Sequence, residues 1–215
     1  MTDSATDNIC PIIQERTPYG VFEVYTTTTG ISQHSFLEVT QVHSGEVIHC
    51  LPSYTSQEIS ALRADGMVYF QQDFSVTRPN LLIKTADCLP LFLGSKLGWA
   101  MLHAGWRGLQ QKILQHDLIK KLRPDYVFIG PHICQNCYQV GPEFQEHFPS
   151  SPGLQMKNAH WYLDLQAEAS LQIHKMFATI QIEHSNLCTY CDKRLHSYRR
   201  GNAKQRNYNI FRPNI

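Results

Sequence analysis

The chain has 215 residues, 42% of them hydrophobic, which suits one domain over residues 1–215 with a single large core. With 19 Lys and Arg against 18 Asp and Glu, it has no basic excess that would point to nucleic acid as a partner. The opening MTDSATDNICPIIQER offers neither a cationic start nor an apolar run suited to a signal peptide. No later run approaches the ~18 apolar residues of a membrane span, so a cytoplasmic protein without a membrane partner is expected.

Residues 1–15 are expected to be poorly ordered. From Gly20 the run GVFEVYTTTT, rich in β-branched and aromatic residues, predicts a strand closed by Gly30. Short extended pieces follow, with His43 at a strand end before the Ser44-Gly45 turn and His49 in a further extended run over 46–51. Residues 52–65 read as a loop with a helical turn, Asp65-Gly66 as the bend into a strand at 67–71, and Thr77-Arg78-Pro79-Asn80 as another turn.

The stretch 81–109 organises the rest. Two apolar segments, 81–84 and 99–102, read as short strands; one runs into Thr85-Ala86-Asp87-Cys88 and the other into His103. Glycines 105 and 108 then allow a tight turn or close backbone approach before a helical pattern begins. Leu109, Ile113, Leu114, Leu118, Ile119 and Leu122 predict one helix covering the sheet, stopped by Arg123-Pro124. Residues 126–129 read as a buried strand. Next come Cys134-x-x-Cys137, a strand at 138–140, a helix opened by Gly141-Pro142-Glu143 and a strand at 161–163. Asp164 is suited to cap a helix with Leu165, Ala169, Ile173, Met176 and Phe177 on one face. Residues 180–182 read as the last clear strand, followed by an aromatic and cationic tail with a second pair, Cys188-x-x-Cys191. The fold class expected is α/β, a single domain with a mixed β-sheet core flanked by helices.

Seven cysteines, an odd count without a secretory signal, argue for reduced thiols and raise the question of metal binding or catalysis. His43, Cys88 and His103 suit zinc, and three protein ligands leave one tetrahedral position open, the stoichiometry of a catalytic site. Without metal, Cys88 becomes a nucleophile activated by His103, with Asp87 or another polar group orienting the imidazole. The plainer alternative is a buried cysteine acting as a small hydrophobe. Asp87 weighs against it, because a carboxylate between two apolar strands needs a partner if buried. Cys134, Cys137, Cys188 and Cys191 suit a closed four-cysteine zinc site, although 50 residues separate the two pairs where about 15 to 20 are usual. Arg107 is suited to clamp a phosphate or carboxylate. Arg199 and Arg200 read first as solvated surface, with Ser197-Tyr198 supplying hydroxyls and an aromatic face for a base or sugar.

Four segments resemble one known family: Thr85-Ala86-Asp87-Cys88-Leu89-Pro90; His103-Ala104-Gly105-Trp106-Arg107-Gly108; Gly130-Pro131-His132-Ile133 with Cys137-Tyr138-Gln139-Val140-Gly141; and Cys188-Thr189-Tyr190 with Ser197-Tyr198-Arg199-Arg200. They resemble the multicopper polyphenol oxidase (laccase-domain) family, whose members also go under the names purine nucleoside phosphorylase and peptidoglycan-editing factor. The resemblance covers about residues 40–200. It implies a single α/β domain shaped like the cysteine deamidase toxins, with zinc held by His43, Cys88 and His103. It also implies that the Cys-x-x-Cys pairs are not the main metal site. One Cys and two His do not make a multicopper centre, so copper is disfavoured. Three departures stand out: Thr26-Thr27-Thr28-Thr29-Gly30-Ile31-Ser32 lacks the arginine that members carry there, only ten residues (33–42) separate Ser32 from His43 where members have a long stretch, and Gln139 replaces the usual glutamate.

The resemblance and the residues together point to a zinc enzyme acting on purine nucleosides, by adenosine deamination or by phosphorolysis of adenosine, inosine, guanosine or methylthioadenosine, with phosphate as co-substrate. The missing arginine weakens phosphorolysis more than deamination. In this reading Cys88, Asp87 and Arg107 serve catalysis, and Gln41, Ser197 and Arg199 bind substrate. The alternatives are a zinc- or cysteine-dependent amide hydrolase editing peptidoglycan precursors, and a non-catalytic protein with a structural zinc held by the four cysteines.

Overall fold

The computed structural model describes residues 10–29, 31, 35–73 and 78–214. Gly30 and Ser32 of the departing motif, Thr77 of the predicted turn and residues 1–9 of the N-terminal segment lie outside the described residues. In chain order the strands are β1 (Ile13–Thr17), β2 (Gly20–Tyr25), β3 (Phe36–Leu37), β4 (Val47–His49), β5 (Gly66–Phe70), β6 (Asn80–Thr85), β7 (Leu89–Ser95), β8 (Gly98–Ala104), β9 (Tyr126–Ile129), β10 (Gln139–Val140), β11 (Leu154–Lys157), β12 (His160–Leu163), β13 (Gln181–His184) and β14 (Asn207–Pro213). The helices are α1 (Ser56–Ala61), α2 (Trp106–Gln110), α3 (Asp117–Leu122), α4 (Phe144–His147) and α5 (Leu165–Met176).

The fold is α/β with mixed sheets, as the sequence predicts, but its core is built from two facing sheets. One has five strands in the order β1-β2-β14-β6-β3 and the other six in the order β13-β9-β7-β8-β5-β4; β10-β12-β11 form a small third sheet. The parallel pairs β3–β6, β4–β5 and β13–β9 make the two large sheets mixed. The large sheets meet through aromatic side chains: Phe92 of β7 stacks on Phe211 of β14 with centroids 3.9 Å apart, and Phe22 of β2 meets Phe128 of β9 at 4.9 Å. Helices α2, α3 and α5 cover the opposite face of the six-stranded sheet, where Leu89, Leu91 and Leu93 of β7 pack with Leu109, Ile119, Leu122 and Ile173. Strands β7 and β8 are therefore buried on both faces, which explains their nearly continuous apolar sequence.

Three expectations need correction. The single helix over 109–122 is broken into α2, a 3-10 turn at Ile113–Gln115 and α3, because Lys112 takes a left-handed conformation (φ 59°) and the His116 ring accepts the Leu118 N–H to start α3 afresh. Periodicity records which residues face the sheet and is blind to such a break. The strand expected at 180–182 is β13, but it is not the last: β14 follows, lies in the middle of the five-stranded sheet and pairs with both β2 and β6. Finally, the segments 81–84 and 99–102 belong to different sheets, so Cys88 sits where the chain crosses from one sheet to the other. Residues 13–15, the end of the segment expected to be poorly ordered, belong to β1, which pairs with β2. Asp164 caps α5 as predicted, accepting the Ala167 N–H at 2.9 Å. Among the described residues, no helix is long and apolar enough to cross a membrane.

Candidate metal centre

The site is built across three adjacent strands, with β8 in the middle. On one side β5 pairs antiparallel with β8, Gly66 opposite Leu102, and the ladder runs one residue further through the His103 N–H to the Asp65 carbonyl at 2.7 Å. Directly opposed residues share a face of the sheet, so Asp65 and His103 meet side by side. The Asp65 carboxylate lies 2.7 Å from His103 Nδ1, and Nδ1–H donation to it leaves Nε2 free as a ligand atom.

Asp65 is wholly buried, and the same carboxylate winds the preceding turn around itself. Its Oδ1 accepts the His43 N–H at 2.9 Å; its Oδ2 accepts the Val42 and Ser44 N–H groups at 3.2 and 2.5 Å and the Ser44 hydroxyl at 2.9 Å. His43 is thereby held in a left-handed conformation, φ 59°, in an exposed turn rather than at the strand end the sequence suggested. Burial raises the Asp65 pKa, but donation from His103 and the Ser44 N–H outweighs it and holds the carboxyl down at about 2.

On the other side of β8, Leu89 pairs with Ala104, which brings Cys88 across from Gly105. A Cβ on Gly105 would sit 2.8 Å from Cys88 Sγ, so only glycine lets the thiol come this close. The donor atoms of His43, Cys88 and His103 all lie within 4.8 Å of one another, and the two imidazoles meet edge to face at 4.7 Å between centroids. A zinc with ordinary Zn–S and Zn–N bonds needs its donors about 3.3–3.6 Å apart, so the three fit the ion after a small inward adjustment. Burial alone would raise the Cys88 pKa. The charge of His103 and hydrogen bonds from His103 and His43 instead bring it down to about 6, favouring the thiolate that binds metal.

The neighbouring expectations sort into side chains that face the cleft and side chains that brace it. Asp87, itself at φ 89°, is buried and has two partners: Thr189 Oγ1 donates to Oδ1 at 2.6 Å and the Arg199 N–H to Oδ2 at 2.7 Å. Arg107 stands in the first turn of α2 with its guanidinium 4.4 Å from the Trp106 ring centroid. Arg199 lies 5.3 Å from the centroid of Tyr138 and donates to the Gln139 carbonyl at 2.9 Å. Asp87, Cys88, His103, Arg107, Tyr138 and Arg199 line one cleft of about 740 Å³. Gln41 also borders it, but both amide atoms are engaged with β6, Nε2 donating to the Lys84 carbonyl and Oε1 accepting the Lys84 N–H. Ser197 is wholly buried, and its hydroxyl accepts the Arg200 N–H. Arg200, read from sequence as solvated, is an internal brace whose guanidinium donates to the Thr189 and Tyr190 carbonyls at 2.6 Å each.

Sequence reasoning missed Asp65, Thr189 and Tyr138. Asp65 carried only a turn signal, and nothing local connects Thr189 with Asp87, 102 residues away. The second cysteine group also comes together: the sulfurs of Cys134, Cys137, Cys188 and Cys191 lie within 4.8 Å of one another, an arrangement that could hold a metal ion.

Residues 22–209 match the family of multi-copper polyphenol oxidoreductase laccases. The chain is similar to the purine nucleoside phosphorylase of Aquifex aeolicus, 35% identical over 129 residues that cover 58% of this chain and 61% of that protein. It is also similar to that of Xylella fastidiosa, 31% identical over 177 residues covering 74% and 65%. The chain thus spans less than two thirds of the length of these relatives. Two crystal structures share its fold: a DUF152-family protein of Neisseria meningitidis (TM-score 0.70, 22% identity, 85% of this chain and 76% of that one) and the hypothetical protein YfiH of Bacillus licheniformis (TM-score 0.70, 24% identity, 84% and 75%). With His43, Cys88, His103 and every cleft residue named above inside the matched span, the chain belongs to the multi-copper polyphenol oxidoreductase laccase family.

Proposed function

We propose that this protein is a zinc-dependent enzyme acting on purine nucleosides, with hydrolytic deamination of adenosine favoured over phosphorolysis. The observation that carries the reading is the convergence of one thiolate and two imidazoles at the wall of a cleft large enough for a nucleoside. Two nitrogens and one sulfur suit zinc, and they are too few for a multicopper cluster.

When bound, zinc supplies Lewis acidity at this wall. The chain's own residues do the rest. Asp65 holds His103 in the tautomer that presents Nε2. Asp87 takes the proton of the attacking water, since each of its oxygens keeps a lone pair beyond the one used by Thr189 or Arg199. Burial raises the Tyr138 pKa, so its phenol stays neutral and offers an aromatic face and a donor. Arg107 and Arg199 hold the ribose hydroxyls or an anion. Water attacks the purine carbon that bears the amine, and ammonia leaves, so no phosphate is consumed.

The test is a panel of adenosine, inosine, guanosine and methylthioadenosine, each with and without phosphate, incubated with zinc-loaded protein and with Cys88→Ser and analysed by chromatography. Inosine and ammonia from adenosine without phosphate, lost in Cys88→Ser, are expected. Failure to turn over any nucleoside would overturn the proposal. The aligned Cys88, His103 and Asp65 support a second reading, a cysteine-dependent amide hydrolase, because His103 lowers the Cys88 pKa and Asp65 orients His103. That reading requires amide cleavage to survive chelation of the metal.

A further inference from the structure

Cys134, Cys137, Cys188 and Cys191 stand apart from the site just described, and no step proposed above uses them. Two loops converge here. In the first, Cys134 precedes a 3-10 turn at Gln135–Cys137 closed by the Cys137 N–H donating to the Cys134 carbonyl at 3.0 Å; in the second, the Asp192 N–H donates to the Cys188 carbonyl at 2.9 Å. An isolated parallel bridge between His132 and Cys188, with the Thr189 N–H donating to the His132 carbonyl at 3.0 Å, sets the loops side by side. The 50-residue gap that made the paired motif look weak in sequence is thus spanned by backbone hydrogen bonds.

The sulfur geometry is that of a ligand set. All four lie within 4.8 Å of one another, with Cys137 and Cys191 at 3.4 Å, whereas a zinc tetrahedron with Zn–S bonds of about 2.3 Å has sulfur edges of about 3.8 Å. The Cys134 N–H points at Cys188 Sγ, 3.3 Å away, a donor that stabilises a thiolate. All four cysteines are free thiols, and three of them are partly buried.

We infer that these four cysteines form a second, closed metal centre, a tetrahedral four-thiolate zinc site with no open position. Zinc displaces the thiol protons and cross-links the 134–137 loop to the 188–191 loop. Each loop leads directly into a wall of the cleft. Tyr138 follows Cys137, and Thr189 follows Cys188 and donates to Asp87. The Arg200 guanidinium ties the Thr189 and Tyr190 carbonyls to the turn that presents Arg199, and Arg199 closes back over Tyr138. The ion therefore acts on the cleft as a clamp and takes no part in chemistry. The inference does not depend on what the cleft binds.

The test is metal content per chain, by mass spectrometry, for protein purified under reducing conditions as wild type, Cys88→Ser and Cys191→Ser. Two zinc ions in the wild type and one in each variant are expected. One zinc that survives Cys88→Ser and is lost with Cys191→Ser supports this site and overturns the other. Unchanged metal content in Cys191→Ser overturns the inference. Because Cys191→Ser could misfold, alkylation of the wild type provides a second readout. The four thiols should resist alkylation as a set while exposed Cys10 reacts, then all become reactive on chelation without reductant. Alkylation of the four at the rate of Cys10 overturns the site, and so does a requirement for reductant, which would identify disulfides.

Discussion

Asp65→Asn tests the construction of the proposed metal centre without touching a proposed ligand. In the native chain Oδ1 serves His43 N–H and His103 Nδ1, while Oδ2 serves Val42 N–H, Ser44 N–H and the Ser44 hydroxyl. No orientation of an asparagine amide satisfies both sets. With its NH2 in place of Oδ1, it opposes the His43 N–H and moves the His103 proton to Nε2, the atom meant for metal. With its NH2 in place of Oδ2, the two backbone donors of the 42–44 turn lose their acceptor inside the protein. Buried donors left unmatched cost about 1–3 kcal/mol each. The carboxyl, held at about 2 against its usual 3.8, contributes about 2 kcal/mol of that in the metal-free protein. Because its folded pKa is the lower one, this contribution is complete above about pH 4 and is lost as the pH falls through about 2, so the variant lacks that acid limb. We expect Asp65→Asn to lower the melting temperature of chelated protein by about 5–10 °C and to weaken zinc binding about 10- to 100-fold. Differential scanning fluorimetry and competition against a chromogenic chelator measure the two. A zinc affinity within twofold of wild type would refute the role assigned to Asp65.

Gly105→Ala should weaken zinc binding while leaving all three ligands in place, because the new Cβ meets Cys88 Sγ at 2.8 Å; the same chelator competition measures it, and unchanged affinity would show that the thiol can withdraw without cost. Arg199→Ala should raise KM about 10-fold or more with little change in kcat, as expected for a binding group worth about 1.5–3 kcal/mol, and steady-state kinetics on the substrate found in the nucleoside panel separate the two constants. Phe211→Ala should destabilise the fold by about 3–5 kcal/mol, since Phe211 is fully buried and stacked on Phe92, yet leave metal content unchanged; denaturant unfolding with metal analysis on the same sample checks both.

Local pattern carried much of the molecule. The apolar run ending in Asp87-Cys88, the run ending in His103 and the glycine after it were legible because strand burial, a thiol and a missing Cβ are properties of short segments. The Asp164 cap was legible for the same reason, as its oxygen reaches only to the Ala167 N–H. The break in the 109–122 helix was not, because a left-handed Lys112 leaves the apolar spacing intact. Strand β14 escaped notice because a strand in the middle of a sheet is defined by neighbours at both edges, here β2 and β6, far back in the chain.

The sequence by itself determined which side chains were available: a thiol and two imidazoles for one proposed centre, four thiols for the other, and a carboxylate beside Cys88 that would need partners. Only the tertiary structure decided how they meet. Register across β5, β8 and β7 sets Asp65 against His103 and Cys88 against Gly105, and the bridge from His132 to Cys188 brings the two cysteine pairs together. The physical reason is that a ligand's donor atoms and a carboxylate's acceptors are satisfied through space, and strand pairing determines which residues share that space.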